Sequence, residues 1–326
     1  MRHFRQRAIA AIIFSVPAVL PAALGGPSQS GRSSTTPAHV YACVDQIRAD
    51  IDRIRVEMGR PRSERPDLMV SSVAPREVYF LALSLFKKAN RLGFQQTRTH
   101  ADPPPTPTGE PQPADVLDVV QAALGRVRAV KEDIGITAST AALPVDPSKQ
   151  PTDVFKSITQ VNRQLNLLLD RRFSPSDVYQ EVTLAIGYAA RLLSCFPGDR
   201  IPDTPAREHG KRPQDVYRLL IRCLRIVEAI AQNSGLRIAR LETTEEDVEG
   251  ASPSDVYDIA ALLVAELAYL FRQAGDLETP RPTYYPGRKF PSHVYQRVRL
   301  LELQLKELEA QVAAKPDWLD RGSDQE

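Results

Sequence analysis

Eight times along this chain a proline is followed, three residues later, by valine, and in seven of the eight an aromatic residue comes next. The first instance is Pro37-Ala38-His39-Val40-Tyr41 and the last is Pro291-Ser292-His293-Val294-Tyr295. Successive prolines are 38, 38, 38, 24, 38, 40 and 38 residues apart. A period this regular marks a repeat architecture, and that constrains the fold before any other feature is weighed.

The motif has a mechanical meaning. Proline suits the first position of a helix, where its φ is already helical and its missing N–H had no partner to lose. Thr36, Ser174 and Ser252 precede their prolines as expected N-caps. The residue two after proline falls at N3, where a carboxylate closes a capping box and meets the positive end of the helix dipole. It is acidic in six repeats and histidine, as His39 and His293, in the first and last. The valine opens the buried stripe.

The helix stops are nearly as regular. Gly59, Gly135, Gly235 and Gly275 each fall 22 residues after their proline, and Gly93 falls 18 after its own. Glycine just past a helix end adopts the left-handed conformation cheaply, so helices of about 21 residues and about 32 Å are predicted. Val40, Val44, Ile47, Ile51 and Ile54 trace a narrow stripe at 3–4 spacing, as do Val294, Val298, Leu301, Leu305 and Leu308. These first and last helices carry much charge and are expected on the outside. The second helix opens almost wholly apolar from Val78 to Phe86, and the seventh is apolar on most sides from Ile259 to Phe271, interrupted by Glu266. A helix apolar all round must be enclosed by neighbours or bind something.

The expected fold is therefore all-α: eight long helices forming two tandem four-helix units, 37–173 and 174–312, followed by a polar tail, 313–326. The one short step, 24, divides the sets and demands a tight reversal or a kinked continuation around Arg171-Arg172-Phe173-Ser174. Other connections are long, about 14 to 18 residues, and rich in proline, as in Asp102-Pro103-Pro104-Pro105. An extended segment of that length reaches about 43 Å, enough to run back along a helix and let successive helices lie parallel. Antiparallel packing with long surface loops satisfies the same sequence, so helix direction stays open. The unit differs from the tetratricopeptide repeat, whose period of about 34 residues holds two short helices.

Residues 1–25 are expected to be a secretory signal, with cleavage before Gly26 and a linker over 26–36. Arg2, Arg5 and Arg7 precede an uncharged run, Ala8 to Leu24, that is short for a membrane span and broken by Pro17 and Pro21. A periplasmic or secreted protein follows from that reading, with no stable transmembrane segment after cleavage. The chain has 42 basic and 40 acidic residues, so it lacks the basic excess that nucleic-acid binding demands. Cys43, Cys195 and Cys223 sit among apolar helical residues and are expected to be buried thiols.

No pattern of residues announces catalysis or a cofactor. Cys-x-x-Cys, Gly-x-Ser-x-Gly and His-x-x-x-His are absent, the glycines mark helix ends, and His100 and His209 lie in polar loops. The acidic run around Glu245 lacks the ligand spacing of an EF-hand. The candidate site is a rim of helix-start tyrosines, Tyr41, Tyr79, Tyr179, Tyr217, Tyr257 and Tyr295, which would gather at one end if the helices were parallel. Such a rim either contacts a ligand or partner, or packs against the returning segments. The expected function is a non-enzymatic interaction or scaffold protein of the cell envelope, without cofactor or metal, binding a protein partner. The alternative is a solute-binding or sensing bundle with a pocket among helices two, six and seven.

Overall fold

The computed structural model describes residues 34–63, 68–141, 144–170, 172–198, 202–275 and 277–319; the expected signal sequence lies outside them. Each of the eight prolines opens a helix. These are α1 (Pro37–Glu57), α2 (Pro75–Thr97), α3 (Pro113–Asp133) and α4 (Pro151–Leu168). They continue with α5 (Pro175–Leu193), α6 (Pro213–Asn233), α7 (Pro253–Gln273) and α8 (Pro291–Ala314). Two three-residue strands, β1 (Met69–Ser71) and β2 (Arg240–Glu242), pair antiparallel with Val70 opposite Leu241.

At every start the N3 side chain does the capping. The N-cap backbone N–H donates to Glu77 at 2.8 Å, to Asp115 at 2.8 Å, to Asp153 at 2.9 Å and to Asp177 at 2.7 Å. It donates to Asp215 and Asp255 at 2.8 Å in each case, and to Nδ1 of His39 and His293 at 3.2 and 3.1 Å. The N-cap side chains matter less than expected. The Ser174 and Ser252 hydroxyls both donate to their N3 carboxylates, at 2.7 and 2.6 Å, and Ser252 also accepts a long bond from the Asp255 N–H. That is why Ala74, Arg212 and Phe290 can occupy the same place.

Within each set the helices form a ring. In the first bundle α1 and α2 each pack against α3 and α4; in the second, α5 and α6 each pack against α7 and α8. The packing order is thus the same in both. All four helices of a ring run parallel, because their first residues converge. Pro37, Pro75, Pro113 and Pro151, with the valines three residues on, close around a cavity of about 10 Å³. The prolines and valines of α5 to α8 do the same. Space of that size holds one water at most, and the lining is apolar.

Parallel helices require the chain to travel back a full helix length each time, and the long segments do this on the outside of the bundle, held by side chains. Asn90 of α2 holds Ala101 through both its backbone groups, at 2.8 and 3.1 Å. Further along the same segment, Glu110 pairs with Arg76 near the start of α2. Buried Asp50 of α1 accepts from Lys131 at 2.7 Å and from Thr140 on the next return segment at 2.5 Å.

The step of 24 residues now has its explanation. After α4 the chain makes no return; it turns tightly and enters the second bundle in the opposite direction. The contacts of α2 with α7 confirm the inversion. Ser84 and Lys88, midway along α2, meet Asp258 early in α7, while Arg76 at the start of α2 meets Glu266 and Tyr269 farther along α7. Four aligned helix dipoles repel one another, and the inverted neighbour places opposite ends side by side. The two helices that are apolar nearly all round, α2 and α7, are the ones enclosed on a third side, whereas charged α1 and α8 stay outside.

Most stops match the glycines. Gly59, Gly135, Gly235 and Gly275 all have positive φ, and the Leu236 N–H closes back on the Ala231 carbonyl at 2.8 Å. Gly93 differs: α2 runs on to Thr97, and Arg98 takes the left-handed place with φ 58°. The glycine is needed for clearance, since a Cβ there would collide with the Arg126 guanidinium, which crosses α2 to hold the Thr99 carbonyl at 2.6 Å. The stretch expected as a polar tail begins inside α8 and contributes a buried residue, Trp318, whose indole N–H donates to Ser234 at 2.8 Å. The three cysteines are free and buried, and burial pushes the Cys43 thiol up to about 11.

Candidate functional site

The helix-start tyrosines do not gather in one place. Because the bundles are inverted, Tyr41 and Tyr79 belong to one ring of helix starts, and Tyr179, Tyr217, Tyr257 and Tyr295 to a second that faces the opposite way. Tyr79, Tyr217 and Tyr257 are 1, 3 and 3% exposed. Tyr41, Tyr179 and Tyr295 are half-buried, each beneath a lysine two residues before a neighbouring helix's proline. Lys149 lies 4.7 Å from the Tyr41 ring, Lys289 5.0 Å from Tyr179 and Lys211 4.3 Å from Tyr295. Phe173, in the same register, lies 4.3 Å from Tyr257. Three of these contacts tie neighbouring helix starts together in the second bundle and one does so in the first, with cation–π contacts worth about 0.5–1 kcal/mol each at exposed sites.

The concave surface is elsewhere, on the outer face of α2. Leu83, Phe86, Lys87 and Asn90 of α2 face His100, Pro103, Pro104 and Thr106 of its own return segment across a cavity of about 550 Å³. A second cavity of about 380 Å³ is lined by Gln95, Arg98, Arg172, Ser174 and Asp177, at the start of α5. Both are also lined by Arg91 and Phe94, so the two form one groove running along α2 to the seam between the bundles.

Helical spacing creates this face: Leu83, Lys87, Asn90, Arg91, Phe94 and Arg98 follow one another at intervals of three or four, or side by side. Phe94 is 39% exposed and stacks on His100 with ring centroids 4.6 Å apart. A charged row lies beside it. Lys87 pairs with Glu181 at 3.2 Å and donates to the Tyr257 hydroxyl at 3.0 Å, which itself donates to Glu181. Arg91 donates to Asp177 at 2.8 Å and lies 4.0 Å from the Phe173 ring. Burial opposes ionisation of Asp177, yet the bonds from Arg91 and Ser174 win and hold its carboxyl below the usual range. Arg98 and Arg172 are exposed and form no ion pair among the described residues.

Beneath the groove the seam is polar and buried. Lys88, fully buried, pairs with Asp258 at 2.7 Å, and Ser84 donates to the same carboxylate at 2.8 Å. Toward the start of α2, Arg76 is sandwiched between Glu77, at 2.6 Å, and the Tyr269 ring, at 3.8 Å. Glu77 stands beside the buried Glu266 of α7. Burial, and then the Glu77 charge, raise the Glu266 carboxyl well above its ordinary value, and burial also raises that of Glu77, the cap of the α2 start.

The repeat carries no signal for Lys87, Arg91 or Arg98, and Gly93 taken as a helix end put Phe94 outside α2; His100 lies in an exposed loop as expected, with its ring on Phe94. The usable signal was their common helical face, visible once Gly93 is read as interior. Among the described residues no group of three or more metal-binding side chains occurs, and no helix is long and apolar enough to cross a membrane. Comparison with protein-family models, with curated proteins and with solved structures found no match.

Proposed function

We propose that this chain is an exported, non-enzymatic interaction scaffold of the cell envelope, in which two inverted bundles form a rigid frame and the α2 groove receives a protein partner. One contrast carries this reading. The bundle ends close on cavities of about 10 Å³, whereas the joined surface cavities measure about 550 and 380 Å³. Space of the second kind, partly apolar and framed by a few polar groups, is where binding sites occur. The frame supports it: the wall of the groove is a proline-rich segment pinned to α2 by Asn90 and to α3 by Arg126, so little ordering is needed when a partner arrives.

The size of the groove also suits a small molecule, which keeps a solute-binding role as the second reading, with its pocket moved from between helices two, six and seven to the outside of α2. Photo-crosslinking in cells separates the two. A crosslinking amino acid in place of Phe94 is expected to yield a protein adduct that the same residue at Val145, exposed on another return segment, does not. No adduct at 94, or equal adducts at both positions, contradicts the scaffold reading.

A further inference from the structure

We infer that the groove recognises an anion attached to a flat or greasy body, with the anionic group held between Arg98 and Arg172 and the body lying on Phe94. This rests on the groove being the binding site, and it adds the chemistry of what is bound.

Four cations line the joined cavities, and they fall into two classes. Lys87 and Arg91 are occupied, by Glu181 and Asp177. Arg98 and Arg172 are exposed and form no ion pair among the described residues, Arg98 lying 5.9 Å from the Phe94 ring, and they come from different elements, the C-terminal cap of α2 and the turn before α5. The one carboxylate in this part of the groove, Asp177, already accepts from Arg91, from the Ser174 N–H and from the Ser174 hydroxyl. Its charge is spent within the protein, so an incoming anion meets two guanidinium groups with free donors. Guanidinium groups suit carboxylate, sulfonate and phosphate alike because their donors form a planar fork.

The neighbouring surface selects what the anion is attached to. Phe94 offers an exposed ring backed by His100, and beyond it Leu83, Phe86, Pro103 and Pro104 continue an apolar lining. A bare phosphate ion would leave that surface wet, and a neutral hydrophobe would leave the guanidinium groups unused. A ligand carrying both parts uses the whole groove, whether it is a free acid or the acidic aromatic end of a protein segment.

Two dyes with the same flat body test this. Anilinonaphthalene sulfonate carries the anion, and phenylnaphthylamine does not. By fluorescence titration of the full mature chain, the sulfonate is expected to bind at one saturable site and the neutral dye far more weakly. Two partly exposed charge contacts imply that the double variant Arg98→Ala, Arg172→Ala weakens the sulfonate about tenfold with an unchanged melting temperature. Phe94→Ala should weaken both dyes, and Val145→Ala neither. Absence of sulfonate binding, equal affinity for the two dyes, or indifference to loss of both arginines overturns the inference. Crosslinking at Phe94 without dye selectivity would leave the scaffold standing and remove the anion. Dye selectivity without a crosslinked protein would do the reverse.

Discussion

The interior of each bundle and the seam between the bundles are built on different principles. Inside, the same positions recur around each ring: proline, N3 cap, valine, an aromatic residue everywhere but Leu117, then a stripe of aliphatic residues that exclude water. At the seam the polar groups are matched individually. Lys88 meets Asp258, and Arg76 meets Glu266 and the recurring N3 cap Glu77, in pairings that no other helices of the chain repeat among the described residues. Repetition is what a self-sealing core needs. Where it lapses, the chain gains an interface and, beside it, a groove.

Three substitutions sharpen that contrast. The largest effect is expected in the interior. Val116→Asp places a charge at the closed end of the first bundle, among apolar residues with no donor to meet it. A loss of about 4 kcal/mol or more in denaturant unfolding is expected, and an unchanged midpoint would mean that the helix starts do not converge.

At the seam the loss should depend on the partner. Lys88→Ala strands the Asp258 carboxylate and should cost about 3 kcal/mol, whereas Lys88→Met combined with Asp258→Leu should recover most of it, because a buried pair is replaceable by well-packed apolar groups. Equal losses in the single and double variants would show that the pair does not act as a unit.

The smallest effect is expected at Glu266. The unfolded carboxyl titrates near 4.5, and the folded one holds its proton to higher pH. The unfolded state therefore binds fewer protons above that point, and stability falls as pH rises through the interval. Glu266→Gln should cost less than about 1 kcal/mol near pH 5, since it retains the neutral shape, and it should flatten this slope. A steeper slope in the variant would mean that Glu266 is ionised in the folded protein.

The same contrast explains what the sequence revealed. Helix starts, four of the stops and the division into two sets are set by local chemistry repeated many times, and they are legible as soon as the period is noticed. The inversion was also present, in the step of 24, but only the observed parallel rings show why the other steps are longer. Apolar α2 and α7 announced that something must cover them without naming each other. The groove was hidden for a simple reason. Its residues belong to single repeats, and Gly93 looked like the other terminal glycines although it is there to let Arg126 pass. Lys149, Lys211 and Lys289 stand two places before their prolines, a recurrence whose purpose shows only when each is found on a neighbour's tyrosine.

Parallel helices within each bundle, and opposite directions between bundles, underlie all of this. Paired spin labels at exposed N-cap positions test it directly by electron–electron distance measurement. Thr36 with Gln112 joins the starts of α1 and α3, and Thr36 with Arg212 joins starts in different bundles. The first pair should lie within about 20 Å and the second well beyond it, because the inverted starts are offset by about 21 Å along the helix axes as well as sideways. A first distance as long as a helix, or a second as short as the first, would contradict the fold described.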